Sequence, residues 1–367
     1  MDEAEPETRR PSATGFLQQK LSWSWSPLLA PWKVFSVYVI VGLIFVPLGA
    51  VLMVQTDDII EYSYQYDGDG ALGDACAITT YNAGQDCTIS FEIEEDMPGP
   101  VYVLYQLDDF YQNHGRYVSS YYQDQLQGST STSSLSDCWP LEYDGDDVLN
   151  PCGLIANTLF NDIITVSSGQ VMNETGIAWT SDLDEKFSQP DGFTYTECDS
   201  STCEECLSDA SSSSSSSSTS YNETCDLYTQ NNVTYAYWYP DDNSTKYLYE
   251  SYPEMISPLE GVTNEHFIVW MRTAGLPDFR KLYGIINDGL SAGETLTFSV
   301  TANFLVSEFE GKKHLIITTT DDIGGRSEYW GASFIALGVI LLVAAVLVAL
   351  KAVLTPRMMG DIKVLAD

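Results

Sequence analysis

Positive charge is scarce in this chain, histidine more so, and neither end carries a cysteine. Of 367 residues, 16 are Lys or Arg against 52 Asp or Glu, a formal net charge of −36. A surface of that sign repels phosphate backbones and anionic headgroups, so no nucleic acid partner is expected. The three histidines, His114, His266 and His314, lie far apart in sequence. There is no P-loop, no Rossmann glycine pattern, no HExxH and no Gly-x-Ser-x-Gly. Nucleotide-driven, zinc-protease and serine-hydrolase chemistries therefore lack their residues. So many carboxylates place some close together by chance, and no glycosidase-like pair stands out. No catalytic residue, cofactor or metal is expected.

Charge is missing altogether from residues 34–54 and 330–350, each 21 residues long. About 20 apolar residues at 1.5 Å per helical residue cross a hydrocarbon core of about 30 Å. Both stretches are expected to span a membrane. Arg9, Arg10, Lys20 and Lys33 precede the first, and Lys351, Arg357 and Lys363 follow the second. Asp57, Asp58 and Glu61, with Asp321, Asp322 and Glu328, mark the opposite flanks. Basic flanks stay in the cytosol, so both tails (1–33 and 351–367) are expected there and residues 55–329 on the lumenal or extracellular side. That region holds 9 of the 16 basic and 46 of the 52 acidic residues. It also holds all eight cysteines and all four Asn-x-Ser/Thr sequons, at Asn173, Asn222, Asn232 and Asn243. Cysteines in even number on one side predict disulfides in an oxidising compartment, and the sequons predict glycans. The first span starts too late and runs too long for a cleaved signal peptide, so it reads as an uncleaved anchor. Trp32 and Tyr329–Trp330 stand where interfacial aromatics belong.

The ectodomain reads as β. Residues 59–66, 87–94, 101–107, 266–271, 295–302 and 315–320 are rich in β-branched and aromatic side chains. Strands at both ends, with none clear between, predict that distant segments pair in a sandwich of antiparallel sheets. Residues 111–260 read as loop-rich with short helices. The serine run 211–218 predicts a disordered insertion of about 208–220. Asp67-Gly68-Asp69-Gly70 fails as a calcium loop because Ala71 and Leu72 occupy required positions, so a turn is expected. Cys198-x4-Cys203-x2-Cys206 with Cys225 has the spacing of an iron–sulfur site, but the compartment favours two disulfides, whose pairing stays open. Cys76 and Cys87 flank a turn and are expected to pair. In the spans, Gly42 and Gly49, Gly331 and Gly338, Ala332 and Ala336, and Ala345 and Ala349 recur at helical spacing. Such small faces let helices approach closely.

Longer strings carry a resemblance. They are residues 9–11 and 16–21 before the first span, then 105–118, reading YQLDDFYQNHGRYV. Residues 151–157 (PCGLIAN), 160–162 (FND), 269–274 (VWMRTA) and 279–283 (FRKLY) complete the set. Together they resemble the Cdc-fifty (ligand-effect-modulator) family of accessory β-subunits of type IV P-type ATPase lipid flippases. The resemblance implies a non-catalytic subunit that forms a heterodimer with a catalytic ATPase among membrane lipids. Such a subunit carries the ATPase out of the endoplasmic reticulum and supports phospholipid movement from the exoplasmic to the cytosolic leaflet. Endoplasmic reticulum, Golgi, endosomal or plasma membranes are the expected places. It also implies a Cys138–Cys152 bridge and a partner interface at Arg9, Arg10, Phe16, Phe110, Tyr111, Asn113, Arg116 and Tyr117, with the small faces of the spans against partner helices. Ordinary sandwich core is the alternative for the aromatics of that set. The chain departs from the family where Ile163 removes a sequon at Asn161, and in its serine-rich insertion. A two-span ligand-gated channel subunit shares the layout, but the second span has only Ser333 as a polar side chain.

Overall fold

The computed structural model describes residues 31–70, 76–132, 135–198, 225–240, 244–321 and 324–354. Arg9, Arg10, Phe16, Cys203, Cys206, Asn222, Asn243 and the serine insertion lie outside them. The chain divides into two compact units, one holding both apolar helices and the other spanning 58–326.

In the first unit the helices run Pro31–Asp57 and Glu328–Leu354, 27 residues each. At 1.5 Å per residue each is about 40 Å long, so the ends pass beyond a hydrocarbon core of about 30 Å or the helices tilt. The two pack antiparallel along a glycine seam. A Cβ on Gly42 would sit 3.0 Å from the Gly338 carbonyl oxygen, and one on Gly49 would sit 2.7 Å from that of Gly331. No larger side chain fits either crossing. Phe45 meets Phe334 edge-to-face at 5.3 Å. Thr56 returns its hydroxyl to the Leu52 carbonyl at 2.9 Å, so this polar group is satisfied within its own helix. The glycines expected to face a partner are thus used within the chain. Ala332 and Ala336 are exposed and remain on the outer surface of the pair.

The second unit is built from fourteen strands among the described residues. These are β1 (Glu61–Asp67), β2 (Gln85–Glu92), β3 (Val101–Asp108), β4 (Tyr143–Asp144), β5 (Asp147–Asn150), β6 (Ile163–Val166) and β7 (Met172–Asn173). There follow β8 (Thr194–Glu197), β9 (Asp226–Gln230), β10 (Val233–Trp238), β11 (Thr245–Tyr247), β12 (Phe279–Ile286), β13 (Thr295–Ala302) and β14 (Lys312–Thr318). One sheet has the order β1-β14-β3-β12-β7 and a second the order β2-β13-β6. The two ends of this unit meet as expected: Glu61 pairs with Thr318 and Glu92 with Thr295, both antiparallel. Alternation sets the inner faces. Val101, Val103, Tyr105 and Leu107 of β3 point inward, as do Ile89 and Phe91 of β2 and Leu296, Phe298 and Val300 of β13, and all share one core. Tyr64 touches Phe91 at 6.4 Å, and the Tyr283 hydroxyl accepts the Ile164 amide at 2.9 Å, linking the two sheets.

Two expectations need correction, and one strand was not read from the sequence. Residues 266–271 are not a strand but most of a helix, Glu265–Met271. Asn264 caps it by accepting the Phe267 amide at 3.2 Å, and His266, Phe267, Ile268 and Trp270 are its buried residues. The middle of the ectodomain is not strandless. It adds short strands to the main sheets and forms two three-stranded sheets, β8-β10-β9 and β11-β5-β4. Residues 279–286 form a central strand although Lys281 and Gly284 interrupt their apolar pattern.

Candidate functional site

The string that follows β3 folds as a turn and one short helix. Asp109 takes a left-handed conformation (φ 61°), and its amide donates to the Asp278 carboxylate at 3.0 Å. The Phe110 amide donates to the Pro277 carbonyl at 3.1 Å. Phe110 thereby enters an aromatic cluster with Tyr117, Trp270, Phe279, Phe304 and Phe309, at centroid distances of 5.4–6.3 Å. Asn113 donates to the Gly275 carbonyl at 3.0 Å. His114 Nδ1 accepts the Arg116 amide at 3.3 Å and starts the helix Gly115–Ser119. Tyr117 is buried against Thr158 Oγ1 at 2.8 Å, and burial pushes its phenol up to about 12. The expected interface set therefore divides. Phe110 and Tyr117 belong to the interior, while Tyr111 (58 % exposed), Asn113 and Arg116 face outward. The Arg116 guanidinium lies 4.3 Å above the exposed Trp139 ring, a cation–π contact.

Trp139 follows Cys138, which is bonded to Cys152 with a Cα separation of 5.6 Å. Cys76 is bonded to Cys87 at 5.3 Å. Cys198 and Cys225 are also disulfide-bonded; the pairing among the four cysteines of that segment, left open by the sequence, involves Cys203 and Cys206, which lie outside the described residues. Asn173 is exposed, with its Oδ1 accepting the amide (3.1 Å) and hydroxyl (2.7 Å) of Thr175. Asn232 sits exposed at φ 64° on the turn joining β9 to β10.

Two buried lysines were not visible in the sequence. Lys313 on β14 is fully buried, with Nζ 2.8 Å from Asp162 Oδ2, 3.1 Å from Asp67 Oδ2 and 2.8 Å from the Phe304 carbonyl. Asp162 Oδ1 accepts the amides of Asn303 and Phe304 at 2.6 Å each, and its Oδ2 accepts the Tyr66 hydroxyl at 2.8 Å. Burial, with Asp162 beside it, pushes the Tyr66 phenol well up. This network ties β1, β14 and the loops after β13 and before β6. It also explains why Asp67 closes a turn instead of opening a calcium loop. The only advance signal was Asp162 in the Phe-Asn-Asp string. Lys281 on β12 donates to the carbonyls of Val269, Trp270 and Arg272 at 2.6–3.0 Å. It satisfies the end of the helix Glu265–Met271, as a cation there should. Burial, aided by Arg272, pulls its ammonium down to about 7. Arg272 in turn stacks 3.1 Å from the Trp179 ring centroid and bonds Asp182 at 2.7 Å. Asp182 also binds Lys186 at 2.6 Å. Against the desolvation that favours its acid form, these cations hold the Asp182 carboxyl low.

Among the described residues no group of three or more His, Cys, Asp or Glu is arranged to hold a metal ion.

Comparison with known proteins gives a consistent answer. Residues 52–358 match the family model described as LEM3 (ligand-effect modulator 3) family / CDC50 family. The chain is 33% identical to cell cycle control protein 50A of Mus musculus, over 90% of this chain and 86% of that one. It is 30% identical to ALA-interacting subunit 3 of Arabidopsis thaliana, over 98% and 90%. Cell cycle control protein 50B of Homo sapiens is 30% identical over 90% of both.

Proposed function

The chain belongs to the LEM3/CDC50 family, and from that premise we propose that it is the non-catalytic subunit of a type IV P-type ATPase. In this reading it escorts the ATPase from the endoplasmic reticulum and supports transfer of phospholipid from the exoplasmic to the cytosolic leaflet. The observation that carries the reading is family membership over nearly the whole chain, both helices and ectodomain included. Basic flanks place both tails in the cytosol, so Arg9, Arg10 and Phe16 meet the ATPase there. Residues 55–329 stand on the exoplasmic side, glycosylated at sequons such as Asn173 and Asn232. Tyr111, Asn113 and Arg116 form the ectodomain contact, and Phe110 and Tyr117 hold that surface in shape from beneath. Ala332 and Ala336 are the small residues left for a partner helix. A partner that binds only the folded ATPase raises its stability by mass action. Loss of the subunit should therefore lower ATPase abundance and export, not just its rate.

The test is deletion followed by two measurements, uptake of labelled phospholipid and location of the ATPase. Retention of the ATPase with lost uptake is expected. Normal export and uptake, in cells without a second family member, would refute the proposal. Purification adds an independent arm, because a channel subunit would emerge as a homo-oligomer without any ATPase.

A further inference from the structure

One cavity of the ectodomain, of about 330 Å³, runs against the charge of the domain around it. Residues 55–329 hold 46 acidic residues and only nine basic ones. Three of those nine, Arg272, Arg280 and Lys281, line this cavity, and among the described residues no carboxylate does. Both arginines come from the strings VWMRTA and FRKLY, and Tyr111, Asn113 and Arg116 do not reach the cavity. The rest of the wall is apolar, with Ile268, Leu282 and the exposed Trp179. Its parts are held in place. Glu265 accepts the amides of Gly176 and Ala178 at 2.8 Å each and pins the segment that leads to Trp179. Arg272 gives its Nε–H to Asp182 at 2.7 Å and lays its flat face on the Trp179 ring. Arg280 gives Nε to Gln106 and Nη1 to Glu61, both at 2.8 Å.

We propose that this cavity binds a phosphate monoester carried on a compact apolar body. Arg272 and Arg280 hold the phosphate, and Trp179, Ile268 and Leu282 surround the body. Donors remain for the task. A guanidinium has five N–H groups, and among the described residues Nη2 of each arginine meets no acceptor. Stacking on Trp179 uses the face of Arg272 and leaves its edge donors in the plane. Charge remains as well. Asp182 is shared with Lys186 at 2.6 Å, so it does not neutralise Arg272 alone. Lys281 spends its ammonium on three carbonyls and meets no carboxylate, so it adds positive charge to the wall without touching the ligand. Two planar forks suit an anion with several oxygens, and a phosphate monoester offers three where a carboxylate offers two. Ligand cavities begin at about 300 Å³ and are mostly apolar with a few placed polar groups, which sets the body at small size. The inference stands whether or not the ATPase reading does.

The experiment uses the full-length chain in uncharged detergent, titrated calorimetrically and followed by thermal unfolding. The probes are phenyl phosphate, a short-chain phosphatidic acid, inorganic phosphate and benzylamine. Both esters should bind and raise the melting midpoint. Inorganic phosphate, which lacks the apolar body, should bind at least about tenfold more weakly, and benzylamine not at all. The two esters share one chemistry from two sources: tighter phenyl phosphate assigns a soluble ligand, and tighter phosphatidic acid assigns a lipid headgroup. Arg280→Gln, a change at an exposed residue, should weaken the esters about tenfold. Trp179→Ala, also exposed, should weaken them too, and both variants should keep the melting midpoint of the unliganded chain close to that of the parent. Lys246→Gln, a cation outside the cavity, should leave binding intact. Inorganic phosphate binding as tightly as the esters would mean general attraction to cations and overturn the proposal. Ester binding unchanged in both Arg280→Gln and Trp179→Ala would place it elsewhere and overturn it. Absence of binding by either ester would overturn it equally.

Discussion

The two units of this chain solve the same packing problem with opposite materials. The helix pair has no charge over its spans and gains its fit from glycines that let backbone meet backbone. The ectodomain surrounds itself with carboxylates and hides two lysines inside. In lipid, apolar side chains gain nothing by leaving their surroundings, so closeness itself is what holds helices together. In water, burying apolar surface supplies the drive, and a buried charge is tolerated when its partners are fixed. Strength therefore comes from the smallest residues in one unit and from the ectodomain core and its ion pairs in the other.

The largest expected effect breaks the ectodomain side of that contrast. Lys313→Met leaves Asp162 and Asp67 buried beside one another without their cation, and should cost about 3–5 kcal/mol. Equilibrium denaturation of the purified chain measures it, and a change below 1 kcal/mol would mean the network is not structural. On the helix side, Gly338→Leu forces a branched side chain into a space where a bare Cβ already comes within 3.0 Å of the Val46 amide nitrogen. Overpacking of this kind costs about 1–3 kcal/mol. Cysteine cross-linking between the helices should lose efficiency in that variant while the ectodomain unfolds normally.

Lys281 sharpens the comparison by pH. Its folded pKa, near 7, lies below the ordinary 10.5, so the unfolded chain binds more protons between those values. Stability should accordingly rise with pH across that window and be flat below it. Lys281→Met should remove the slope, read as the melting midpoint against pH. The smallest effect on folding belongs to Arg116→Ala, an exposed change expected to stay within about 0.5 kcal/mol. Its effect should appear instead as lost co-purification with the ATPase while the amount and thermal unfolding of the chain itself stay normal.

What sequence reasoning could reach follows from the same physics. The main strands were legible because β2, β3, β13 and β14 alternate β-branched and aromatic residues on one face. Residues 266–271 misled because Phe, Ile, Val and Trp have strand composition, and only the Asn264–Glu265 start betrayed a helix. The strand 279–286 was obscured by the lysine whose burial matters most there. Lys312 and Lys313 are adjacent, and nothing local says that one faces water and the other Asp162. Phe110 and Tyr111 pose the same difficulty, since the left-handed turn at Asp109 decides which ring goes inside. In the spans the glycine spacing was plain, but whether it served a partner or the chain itself depended on the other helix.

The place of β14 has a consequence for synthesis. It lies between β1 and β3 in the five-stranded sheet, yet it is the last strand to leave the ribosome. At about 5–20 residues per second, roughly 10–40 s separate the appearance of β3 from that of β14. Throughout that interval the first strands have open edges and no central neighbour. A chain cut short before Lys312 can never close its sheet, so the ectodomain reports on its own completeness before any partner inspects it.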